Sequence, residues 1–133
     1  PRLQDFVELE SDILNRLLAP RIQEKDFLTL VIELVSPRSP NDIDAINDDF
    51  RDRDMNKAAN IIQHTRLFAS SRFPDYTDFR EYLWGLLLNS LFLATAKRIT
   101  EPRRRRALIY GGIICERLER WQEAWPPAHL RLD

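Results

Sequence analysis

The chain has three glycines, Gly85, Gly111 and Gly112, and all fall inside stretches whose apolar residues recur every three or four positions. Asn-Gly and Asp-Gly pairs are missing, so tight hairpins lack the residues that their positive-φ positions demand. A multi-stranded sheet therefore has no turns, and helices are the remaining way to order the chain. The eight prolines sharpen this reading. They stand at Pro1, Pro20, Pro37, Pro40, Pro74, Pro102, Pro126 and Pro127, and none interrupts a helical apolar pattern. Proline lacks the amide proton and clashes with the preceding turn, so these positions mark element edges. The expected fold is all-α: a single-domain bundle of about five helices over residues 1–127, followed by a short tail over 128–133.

Leu3, Phe6, Val7, Ile13, Leu14, Leu17 and Leu18 form one amphipathic face that ends before Pro20. Residues 22–35 carry enough β-branched side chains for a strand, but a lone strand would have no partner, so a helix is expected. Residues 36–42 form a connector. A short helix from Ile43 to Phe50 and a longer one from Asp54 to Ala69 follow, either separate or continuous. Thr77 or Asp78 caps a helix running from Phe79 to about Ile99 that is apolar nearly all round and belongs at the centre of the bundle. Thr100-Glu101-Pro102 opens the last helix. Its stripe runs through Leu108, Gly111, Ile114, Cys115, Leu118, Trp121, Gln122 and Trp125 to the stop at Pro126-Pro127. Gly85 and Gly111 on facing sides would let the last two helices approach closely, which is favoured over a break at Gly111-Gly112.

A formal net charge of -1 excludes a globally basic nucleic-acid coat, so any electrostatic partner is read by a local patch. Cys115 is the only cysteine, and His64 and His129 are the only histidines. No internal disulfide or cysteine-based zinc site follows from this inventory, and an intracellular, reducing, cytoplasmic setting is expected for a soluble protein. Leu83 to Ala96, the longest apolar run, contains Asn89 and Ser90 and is shorter than the roughly 20 residues of a membrane span.

Arg103-Arg104-Arg105-Arg106 is the most conspicuous charged feature, with Lys97 and Arg98 one turn earlier. Four cations at a helix N-terminus oppose the helix dipole, a placement that suits binding of nucleic acid, another anion, an acidic partner or a nuclear import receptor, although a solvated face partly neutralised by Glu101 is the favoured reading. Of the 20 basic residues only Lys25, Lys57 and Lys97 are lysines, a bias that suits bidentate contacts but follows equally from the base composition of the coding genome. Asp48-Asp49-Phe50-Arg51-Asp52 formally matches the DDxxD pattern of helical isoprenoid synthases. The chain is too short for that fold, no second metal motif follows, and the interleaved Arg51 and Arg53 favour a solvated helix start. His64 reads as a surface or packing histidine, and Cys115 as a small buried hydrophobe. Trp121 and Trp125 are expected mainly in the core, with a role as partner anchors the alternative.

These residues form no recognisable catalytic constellation, and neither a cofactor nor a metal is expected. The preferred function is a non-enzymatic protein-protein interaction module that also binds itself as a homodimer. A nucleic-acid-binding protein using Arg98 and Arg103 to Arg106 is the alternative. A small metal-dependent enzyme built on the aspartates from 42 to 54 is less favoured.

Overall fold

A computed structural model describes residues 2–42 and 50–131. Five α-helices, with no strand among the described residues, follow the divisions set by the prolines, and 72% of the described residues are helical. They are α1 (Leu3–Asp12), α2 (Glu24–Leu34), α3 (Arg53–Arg72), α4 (Phe79–Thr95) and α5 (Glu101–Glu119). The short helix expected over 43–50 lies outside the described residues except for Phe50, which is not helical.

Local chemistry accounts for most boundaries. α1 runs on into a widened turn with i→i+5 bonding, Ile13–Leu18, and then a 3-10 turn, Ala19–Arg21. Within it, the Asn15 amide donates to the Ser11 carbonyl at 3.0 Å, competing for an acceptor the helix would use, while Pro20 supplies no amide proton. Asp52 caps α3 by accepting from the Met55 amide at 3.0 Å. Asp78, rather than Thr77, caps α4 through the Arg80 amide. Pro102 sits in the first turn of α5, as its fixed φ favours.

Two expected ends move inward. α4 stops at Thr95 instead of about Ile99: Ala96 is extended, and the Thr95 hydroxyl bonds the Leu91 and Phe92 carbonyls. α5 stops at Glu119, so Trp121 and Trp125 lie beyond it instead of on its stripe. The four-residue spacing of the tryptophans mimics a helical period without belonging to one.

Leu14, Phe27, Leu30, Leu34, Ile62, Leu83, Leu86 and Ile114 form the fully buried heart of the core. α4 packs between α1 and α5. The glycines divide differently from the expected facing pair. A Cβ on Gly85 would lie 3.1 Å from Val7 Cγ2, so this glycine brings α1, not α5, close to α4. A Cβ on Gly111 would meet Leu87 and Ser90 at an ordinary 3.7 Å. The helix passes through Gly111-Gly112 unbroken.

One buried ion pair ties all five helices together. Glu10 of α1 and Arg66 of α3 are both buried. Arg66 Nε and Nη2 donate to the Glu10 carboxylate at 3.0 and 2.5 Å. The Tyr82 hydroxyl of α4 donates to Glu10 Oε2 at 2.6 Å, and that of Tyr110 in α5 to Oε1 at 3.4 Å. Arg66 Nη1 reaches the Leu34 carbonyl at the end of α2, 2.6 Å away. Burial opposes the Arg66 charge, but Glu10 outweighs it and raises the guanidinium pKa further.

Burial lifts all three tyrosines, Tyr76, Tyr82 and Tyr110, above the ordinary phenol value, and the negative charge of Glu10 adds to it. Because the folded pKa values exceed the unfolded ones, the stabilisation is complete below about pH 10 and is lost as pH rises through the folded values. Alkaline titration followed at 295 nm is therefore expected to show no tyrosinate in the native protein at pH 10. All three phenols should ionise together as the chain unfolds, and one tyrosine titrating normally in the folded state would contradict this core.

Candidate functional site

The last two helices expose more apolar surface than their own packing requires. On α4, Trp84, Leu88, Leu91 and Phe92 are 55, 64, 45 and 70% exposed, and Leu108 on α5 is 61% exposed. Positions 84, 88, 91 and 92 follow helical spacing and share the outward side of α4. On α5, Leu108, Gly112 and Cys115 share one outward side and are exposed. The expectation that Cys115 is buried is thus corrected: Ile113, Ile114 and Arg117 point inward, and Cys115 lies on the opposite, open side.

Gly112 is the least explained residue on this face. A Cβ there would have nothing within 4 Å. Glycine inside a helix costs about 1 kcal/mol relative to alanine, and no neighbour within the chain offsets that cost. Isolated surface leucines are ordinary, but five large exposed apolar side chains on two packed helices suit an interaction surface; Leu9, Leu17, Ile61, Leu67 and Phe68 are exposed likewise on α1, the turn after it and α3.

The arginine run does not act as one unit. Arg105 pairs with Glu24 of α2, whose carboxyl is held below its usual range chiefly by the hydrogen bond from Arg105. Arg106 donates to the Ile22 carbonyl at 3.0 Å and lies over the Phe27 ring. Two of the four thus anchor α5 to the start of α2, which explains part of the dipole-opposing placement. Arg103 and Arg104 are half-buried, and Arg98 is exposed in the loop before α5.

Trp121 and Trp125 are half-buried and enclose Arg117. That arginine is only 1% exposed, with its guanidinium 4.4 Å from the Trp121 ring and 5.4 Å from that of Trp125. Arg117 Nε donates to the Val35 carbonyl at 2.9 Å and Nη2 to the Ser36 carbonyl at 3.1 Å, so the cation covers the C-terminal end of α2. Burial, aided by nearby Arg38, pushes Arg117 down to about 10, still charged at neutral pH. The Trp125 indole donates to the Ile32 carbonyl at 2.9 Å, so both rings serve this junction. The tryptophans were visible in the sequence, whereas Arg117 was missed. Its only signal is helical spacing from Tyr110, Ile113 and Ile114, a side of α5 other than the stripe through Cys115 and Leu118.

His64 is exposed on α3, with Nδ1 2.8 Å from the Asn60 carbonyl. It borders a groove between α1 and α3 of about 430 Å³, lined also by Phe6, Leu9, Ile61 and Phe68. Asp52 serves as a helix cap, while Asp48 and Asp49 lie outside the described residues. Among the described residues no three His, Cys, Asp or Glu side chains are grouped to hold a metal ion, and no helix is long and apolar enough to cross a membrane. The chain matches no family model, no curated protein and no solved structure.

Proposed function

We propose that the chain is a protein-protein interaction module that associates with itself through the outward face of α4 and α5. The observation that carries this reading is the set of five large apolar side chains, Trp84, Leu88, Leu91, Phe92 and Leu108, left exposed on those two helices. Burying half of each on two chains yields on the order of 10 kcal/mol by transfer arithmetic. Association itself costs roughly 4–15 kcal/mol, so at most about 6 kcal/mol is left, a weak affinity of some tens of micromolar at best.

Leu88→Glu and Phe92→Glu place a carboxylate in the face without touching the core. Each is expected to weaken self-association at least about tenfold in gel filtration, because a charge on the interface must be desolvated. The melting temperature of the dilute chain should change little. Elution unchanged by either variant would rule this face out.

Nucleic-acid binding through Arg98 and Arg103 to Arg106 has less support, since Arg105 and Arg106 are engaged within the chain. It requires affinity for duplex DNA or RNA that falls steeply with salt and disappears on Arg103→Gln with Arg104→Gln.

A further inference from the structure

Resting on the self-association just proposed, we infer that two copies pair through antiparallel α5 helices that cross at Gly112, with Arg105 of each chain opposite Glu119 of the other. Gly112 is exposed near the middle of α5, flanked one turn away by Leu108 and Cys115, and a Cβ there would have open space within 4 Å. A second helix backbone is what a bare glycine admits most closely, and a crossing with no side chain between the axes lets the flanking Leu108 and α4 leucines reach across.

Charge selects the direction of the partner helix. α5 begins with Glu101 and Arg103 to Arg106, a positive end, and closes with Glu116, Arg117, Glu119 and the capping Arg120, whose charges cancel. A parallel pairing sets the arginine-rich ends against each other, whereas an antiparallel one sets each against the neutral end that carries Glu119. Closed two-fold symmetry about Gly112 pairs positions equally distant from it. Arg105 and Glu119 are each seven residues away, two helical turns, and so lie on the same side as Gly112. Both are exposed. Arg105 already holds Glu24, so the second carboxylate would extend an existing pair. The same operation brings Trp84, Leu88 and Leu91 of each α4 to the flanks of the crossing, where a second copy covers them.

Charge exchange on the full chain tests this arrangement by sedimentation at low ionic strength. Arg105→Glu and Glu119→Arg each create two like-charge contacts per dimer, and each is expected to weaken association about tenfold. The double variant restores the contacts with reversed sign and should recover to within about threefold of the unmodified chain. It cannot restore the Glu24 pair, so recovery reports the contact between chains. Gly112→Ala supplies an independent sign: a higher melting temperature for the dilute chain, from better helix propensity, together with weaker association. A dimer whose double variant is no better than the singles would overturn the antiparallel crossing while leaving the apolar interface standing. A chain that stays single at about 0.1 mM would overturn both and leave the face to another occupant.

Discussion

Replacing Glu10 with alanine is expected to cost about 3–5 kcal/mol, the largest loss from any single substitution considered for this chain. The reason is what remains behind. Arg66 keeps its Leu34 contact but loses both bonds to carboxylate, leaving a buried cation without a counter-charge. Tyr82 and Tyr110 lose an acceptor at the same time. A domain with a total stability of roughly 5–15 kcal/mol is left marginal by such a change. Urea unfolding should show the midpoint falling sharply with little change in slope. Glu10→Leu combined with Arg66→Met removes both charges, and the double variant is expected to lose less than the sum of the singles, with a coupling of about 2–3 kcal/mol. Additive losses would mean that the pair contributes only as two independent side chains.

Arg117→Ala should cost about 2–4 kcal/mol. Three contributions disappear together: the bonds to the Val35 and Ser36 carbonyls, the stacking between Trp121 and Trp125, and the volume of a fully buried side chain. Arg117→Lys retains a charge near the end of α2 but cannot reach both carbonyls while stacking on two rings, so a smaller loss of about 1–2 kcal/mol is expected. Intrinsic fluorescence should respond as well, since two of the three tryptophans frame the residue. A loss below about 0.5 kcal/mol for the alanine variant would place Arg117 among ordinary surface positions.

The helical fold was legible because proline and glycine punctuation and three-to-four spacing are local signals. Helix ends were less so. Apolar residues beyond Thr95 and Glu119 continue the pattern by composition, but the extended backbone at Ala96 and the Trp-Arg117 stack are set by tertiary packing. Glu10 and Arg66 carried a readable clue, charged residues at core positions of amphipathic stripes, but nothing in spacing alone pairs residues 56 positions apart. The open face shows the same limit. The all-round apolar character of α4 marked a surplus, and only its place between α1 and α5 reveals that Trp84, Leu88, Leu91 and Phe92 are the residues left uncovered. Spacing alone sets Cys115 among the apolar residues of α5, and only the packing of the helix turns it outward.

Sedimentation equilibrium of the unmodified chain addresses the interface most directly. The expected result is a reversible rise, beginning at some tens of micromolar, from 15.8 kDa toward twice that mass. A single-chain mass at every concentration would contradict it.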